Sequence, residues 1–273
     1  MSILEKLRWL SRPVSLVAAS LLLVLPRLSA QTAKELMADA CYNELQQHRQ
    51  NTLWTSQVQR RTAGHVYVEK EIETVGGPVH RLLLVDGHKP SSAERKQDDD
   101  QLRKLIGNPR AQSAMKKSRD ADEKKIDDLL HVIPDVFLFE DQGKQEGSEK
   151  LTFRPNPAYH PKSYEETALH AMSGFILIDL QEKRLVQISG TLIEQVDFGL
   201  GVIGQLKKGG TVEVTRLRLP SGIWKTSSMK IDISGRIILF KTISKQQDET
   251  QSNFKPVASD TSIEQGLQEL IGK

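Results

Sequence analysis

Gly199-Leu200-Gly201-Val202-Ile203-Gly204 spells G-x-G-x-x-G, the pattern that cradles the pyrophosphate of a dinucleotide. That chemistry requires a helix directly after the glycines, so that its first amides face the phosphates. Here Lys208-Gly209-Gly210 follows four residues later and a strand-like run begins. No acidic residue stands at the expected distance of about 20 positions to hold a ribose. The glycines therefore read as a loop between two strands. Seven histidines (His48, His65, His80, His88, His131, His160 and His170) could ligate metal or carry protons, but none stands in an H-E-x-x-H pair. Cys41 is the single cysteine, so no cysteine pair completes a zinc site and no internal disulfide forms. It shares helical spacing with Ala33, Met37 and Leu45, the pattern of a small buried apolar residue rather than a reactive thiol. The acidic run Asp98-Asp99-Asp100 lacks the Gly and Glu spacing of a calcium loop, and no G-x-S-x-G nucleophile elbow occurs. These patterns predict no cofactor, no metal and no catalytic residue.

The apolar residues carry more information. Trp54, Leu83, Phe137, Phe139, Phe175, Leu177, Trp224, Met229, Ile231 and Phe240 all fall in strand-like runs. Three of those runs, Leu82 to Val85, Val136 to Phe139 and Phe175 to Ile178, are apolar on both faces. Burial on both faces requires cover on both, from helices or from a ligand in a cavity. The ten residues are thus candidates for lining an apolar cavity, with an ordinary packed core as the alternative.

The elements that position them follow an opening segment of distinct character. Lys6, Arg8 and Arg12 precede an apolar run from Val14 to Leu25, and Leu28-Ser29-Ala30 closes it with small residues. This order is that of an export signal, predicted over residues 1–30 with cleavage after Ala30. Its apolar run is shorter than the roughly 20 residues a membrane-spanning helix needs. The chain holds 38 Lys+Arg against 35 Asp+Glu. Removing the leader's four basic residues and one acidic residue leaves 34 of each, so nothing global favours nucleic acid.

Residues 31–273 read as one domain. An amphipathic helix is predicted over 32–48, then strands over 53–61, 65–74 and 79–86. In the second strand Val66, Val68 and Ile72 alternate with Tyr67, Glu69, Glu71 and Glu73, which predicts one face in the core and one in water. Residues 91–131 form a charged insertion, with ten basic and nine acidic residues between Glu94 and Asp128. Gly107-Asn108-Pro109 divides it into two helices. Asp99 with Arg103, Asp100 with Lys104 and Asp120 with Lys124 are acid-before-base pairs at i,i+4. Leu102, Leu105, Ile106, Ile126, Leu129 and Leu130 are its apolar anchors. Strands are predicted over 136–142 and 149–155. Three prolines make 155–161 an irregular loop, and Ser163 with Glu166 caps a helix from Tyr164 to His170. Strands follow over 174–180, 184–197, 210–219, 223–233 and 236–247, then a terminal helix over 262–271. About ten strands joined by short turns predict an α+β fold: a strongly curved antiparallel sheet, an open half-barrel, with helices covering its concave side.

Phe153-Arg154-Pro155-Asn156-Pro157, Met172-Ser173-Gly174-Phe175-Ile176-Leu177-Ile178-Asp179 and Lys183-Arg184-Leu185-Val186, with Ser221-Gly222-Ile223-Trp224 later, resemble segments of the lipoprotein-localisation factor superfamily, the periplasmic lipoprotein carriers. The F-R-P-N-P and L-x-K-G-G elements also resemble a group of uncharacterised secreted bacterial proteins. The carrier resemblance covers most of 32–256 as an order of elements, and no site residue transfers individually. It implies a periplasmic or secreted protein that binds a lipid or an acylated protein in a curved sheet. The alternative is a periplasmic interaction or sensor module whose helical insertion meets an envelope protein. An outer-membrane barrel is disfavoured, since 7 Phe, 3 Trp and 4 Tyr are too few for aromatic girdles.

Overall fold

The computed structural model describes residues 31–50, 52–62, 64–199, 204–237 and 241–272. The predicted leader and Phe240 lie outside them. Among the described residues five helices and twelve strands follow one another: α1 (Ala33–His48), β1 (Leu53–Thr62), β2 (His65–Ile72), β3 (Val79–Val85), α2 (Ser92–Leu105), α3 (Pro109–Val136), β4 (Phe137–Gln145), β5 (Ser148–Pro155), α4 (Tyr164–His170), β6 (Met172–Asp179), β7 (Arg184–Leu192), β8 (Val196–Phe198), β9 (Gly204–Leu206), β10 (Thr211–Arg218), β11 (Trp224–Ile237), β12 (Lys241–Val257) and α5 (Ile263–Ile271). Local chemistry sets several boundaries. Thr32, Ser91 and Ser262 each close a capping box with the glutamate or glutamine three residues on. Asn108 caps α3, with Pro109 following it in the first turn. Glu146 and Gly147, both at positive φ, make the tight turn between β4 and β5.

The fold class matches the prediction: one large antiparallel sheet, not closed, in an α+β chain. Its order is β3-β2-β1-β12-β11-β10-β7-β6-β5-β4, with β8 and β9 hanging on β11. The departure from a plain meander is β12, which inserts between β1 and β11. The predicted strand 184–197 stops at Leu192 and restarts as β8.

Residues directly opposite in an antiparallel ladder share a face. One row on the first face runs Arg60, Glu249, Met229, Val214, Ile188, Ile176, Leu151. The neighbouring row on the second face runs Arg61, Asp248, Lys230, Glu213, Ser189, Phe175, Thr152. α1 packs on the first face over β4–β7, where Met37, Ala40, Cys41 and Leu45 meet Phe137, Leu151, Phe153, Ile176 and Ile178. α5 and α2 lie on the second face over β2 and β3, where Leu267, Ile263 and Leu102 meet Ile72 and Val79. The helices thus divide between the two faces. Ile72 and Val79 alternate onto the second face and would otherwise meet water.

The insertion is helical as predicted, but it is no free hairpin. α3 continues past Pro134 to Val136 and packs on α1. Of its expected anchors Leu102 and Leu130 are buried, whereas Ile106 and Ile126 stay exposed. The ion pairs also run the other way: Lys96–Asp100, Lys116–Asp120, Arg119–Glu123 and Lys124–Asp128 put the base first. Asp99 bonds Arg81 of β3, 2.5 Å away, and feels its predicted partner Arg103 only as a weaker charge attraction.

Candidate functional site

The first face changes character from one side of the sheet to the other. Over β4–β7 it is a dry core under α1. Over the middle of β10 and β11 no helix of the described residues packs along it, and α1 reaches only their ends, at Arg216 and Trp224. There Val212, Val214, Met229, Ile231 and Ile233, with Ile188 of β7, remain partly exposed. They form an apolar strip continuous with the core, since Ile188 packs on the α1 cluster and Ile233 on Leu192 and Val196.

Beyond the strip, across β12, β1 and β2, the same face is charged. Arg60 Nη1 lies 2.9 Å from Glu69 Oε2 and its Nε lies 3.0 Å from Glu249 Oε2. Lys225 Nζ lies 2.6 Å from Glu73 Oε1 and 5.8 Å from the centre of the Trp54 ring. His80 Nδ1 lies 3.5 Å from Glu71 Oε2 and 3.7 Å from Glu69 Oε2, close to both carboxylates without a hydrogen bond to either. This overturns the expectation that Glu69 and Glu71 face water. Glu71 is 7% exposed, because α3 and the end of α1 flank this end of the face around a cleft of about 530 Å³. Burial pushes the Glu71 carboxyl up to about 7, with Glu73 and Glu249 adding to the rise. Burial also raises Glu69 against the pull of Arg60. His80 is driven down to about 4 by burial and by Arg60, so it is neutral at pH 7.

A different buried glutamate ties α1 to the sheet. Glu44, 3% exposed, accepts from Arg184 Nε at 2.9 Å and Nη2 at 2.7 Å, pairs with Arg216, and accepts the Leu185 amide at 3.1 Å. Burial opposes its ionisation, but the two guanidinium groups win and hold it below the usual range. Cys41, beside it on α1, has its thiol pushed up to about 12 by burial, the inert behaviour expected from the sequence.

The predicted lining residues do not form one site. Phe137, 4% exposed, is core, and Phe139 packs against that core. Met229 and Ile231 lie in the open strip. Trp54 is buried on the first face at the charged end. Trp224 is buried and donates its indole Nε1–H to Glu182 at 2.7 Å, while its backbone N–H and C=O bond the Gln47 side chain. Phe175 and Leu177 stand on the opposite face, between Lys150, Thr152, Gln187 and Ser189. Among the described residues no helix covers them, contrary to the expectation of cover on both faces. The Lys150 Nζ lies 4.6 Å over the Phe175 ring instead, its stem shielding the sheet. Leu83 is the extra residue of a bulge opposite Val68 and Glu69 and is 38% exposed. Phe240 lies outside the described residues.

Sequence reasoning missed the two glutamates. For Glu44 a signal existed: it falls at i+3 and i+7 from Cys41 and Met37, on the buried stripe of α1. Glu71 carried no such signal, since an alternating strand reads the same whether its polar face meets water or other charges. Among the described residues no group of His, Cys, Asp and Glu is placed to hold a metal ion, and no helix is long and apolar enough to cross a membrane. No protein-family model, no curated protein and no solved structure matches this chain.

Proposed function

We propose that this is a non-enzymatic binding protein of the periplasm or extracellular space. It takes an apolar chain, the acyl group of a lipid or lipidated protein, on the first face of its sheet. The observation that carries the reading is the partly exposed strip of Ile188, Val212, Val214, Met229, Ile231 and Ile233, which no helix of the described residues covers. A ligand chain laid there would complete the layer that α1 provides over β4–β7. Each methylene withdrawn from water contributes about 0.8 kcal/mol. The signal-like sequence of residues 1–30 supports export.

A fluorescent fatty-acyl probe should bind with saturation near one per chain. Ile231→Asp should weaken binding at least tenfold by setting a charge under the acyl chain. Phe175→Asp, on the opposite face, should leave it intact, with circular dichroism showing that both variants are folded. Absence of probe binding by the folded wild type would overturn the reading. It would leave the interaction-module alternative, which is favoured by Tyr42 at 61% and Ile126 at 49% exposure on the packed pair α1 and α3.

A further inference from the structure

The open strip on the first face has two unlike ends. Val212, Val214 and Arg216 alternate onto that face of β10, opposite Ile231, Met229 and Thr226 of β11. At Ile233 the strip leads onto the apolar side chains of Leu192 and Val196. At its other end it stops at the guanidinium of Arg216, where Glu44 of α1 meets β10.

The charges at that end leave one cation over. Lys183 is paired with Asp39, Arg218 with Glu182, Lys225 with Glu73, and Arg60 with Glu69 and Glu249. Arg184 and Arg216 share Glu44, which among the described residues is the one carboxylate within ion-pair distance of either. Glu182 feels Arg184 as a more distant charge, but it is bonded by Arg218 and by the Trp224 indole. The Arg184 and Arg216 side chains are 10% and 12% exposed, so water screens the excess charge little. Arg184 gives Nε and Nη2 to Glu44, and Nη2 also reaches Gln47. Arg216 faces Glu44 and donates from Nη2 to the Trp224 carbonyl at 3.2 Å, and a guanidinium carries more N–H donors than those two contacts use. A nearly buried cation without a carboxylate of its own, at one end of an apolar strip, suits an anion whose tail lies on the strip.

We propose that the strip takes an acyl chain whose polar end is an anion, a carboxylate or a phosphate, with the anion on Arg216 and the chain running past Val214 and Met229 toward Ile233. The inference rests on the acyl-binding reading and names the ligand class within it. The planar guanidinium fork matches both anions. A free fatty acid and a phosphate-headed lipid share that chemistry, whereas the ester- or amide-linked chain of a lipidated protein ends in a neutral group.

The test measures displacement of the fluorescent acyl probe from the full chain by dodecanoate, dodecyl phosphate and the neutral methyl dodecanoate. It is run at about pH 8, where a carboxyl like that of Glu, with a pKa of about 4.3, is ionised. Wild type should bind at least one anion about tenfold or more tightly than the ester, the gain of a charge-assisted hydrogen bond. A preference for dodecanoate assigns the site to fatty acids, and one for dodecyl phosphate to phosphate-headed lipids. Arg216→Gln, shown to be folded by circular dichroism, should bring the anions to within about twofold of the ester and leave the ester's own affinity unchanged. In wild type the side-chain N–H signals of Arg216 should shift with the favoured anion and stay in place with the ester, a readout that needs no variant. Ile231→Asp should weaken all three ligands. The proposal is overturned by an ester bound as tightly as the anions, by an anion preference that survives in folded Arg216→Gln, or by Arg216 signals unmoved by a bound anion. Failure of the probe and all three ligands to bind wild type would instead overturn the acyl-binding reading, and this inference with it.

Discussion

Glu44 and Glu71 are both buried on the first face of one sheet, 3% and 7% exposed, and their surroundings are opposite. Glu44 sits among apolar side chains but receives two guanidinium groups and a backbone amide, and it stays ionised. Glu71 sits among charged side chains with only the neutral ring of His80 close to its carboxyl, 3.5 Å away, and it keeps its proton to about 7. Burial alone therefore does not set the state of a carboxyl. The donors delivered by neighbouring elements do. The region around Glu44 is a fastening that joins α1 to β7 and β10. The region around Glu71 gathers Glu69, Glu73 and Glu249 against Arg60 and Lys225 and lines a cleft, and it fastens no helix.

The sharpest way to break this contrast is to remove each carboxylate. Glu44→Ala should cost about 3–5 kcal/mol in urea unfolding, because it strands Arg184 and Arg216 in the interior. A loss below about 1 kcal/mol would mean that the fastening is ornamental.

Glu71→Gln should do the reverse at alkaline pH. A carboxyl raised from 4.5 to about 7 binds more protons in the folded than in the unfolded chain across that window. Its stabilising effect is fully present below pH 4.5 and is lost as pH rises through 7, up to about 3 kcal/mol in all. Unfolding free energy measured from pH 4.5 to 8 should fall along this slope in wild type. The slope should flatten in Glu71→Gln, leaving the variant the more stable protein at pH 8. A parallel pair of curves would show that Glu71 does not titrate there.

The smallest effect belongs to the charges that are most numerous. Lys116→Ala or Lys124→Ala on α3 should change stability by no more than about 0.5 kcal/mol. Their partners Asp120 and Asp128 are about half exposed, and the pair order is the weaker one on a helix. Thermal melts that shift by only a degree or two would confirm that exposed pairs differ in kind from the Glu44 cluster.

Local chemistry made most elements legible. Ser163 with Glu166 placed α4, Gly107-Asn108-Pro109 separated α2 from α3, and the alternation of β2 identified a strand. What stayed hidden depends on partners far along the chain. Arg184 reaches Glu44 across 140 residues, and Arg81 draws Asp99 away from its helical neighbour. The same limit explains the candidate site. Periodicity showed that Phe175 and Met229 belong to strands, but which face each presents follows from register across the whole sheet. That register puts Met229 in the open strip and Phe175 behind it.

The position of β12 sets the order of assembly. Its contacts with β1 bridge residues as far apart as Leu53 and Val257, 204 positions along the chain. Neither of the flanking strand groups, β1–β3 nor β4–β11, can pair with the other until this late segment has been synthesised. During translation β1 and β11 each present a bare backbone edge, the form in which strands recruit wrong partners. Closing so long a loop makes the joining step slow relative to the local hairpins on either side. The nascent chain is therefore a pair of half-sheets held apart by sequence, and its window of greatest vulnerability to aggregation closes with the arrival of residues 241–257.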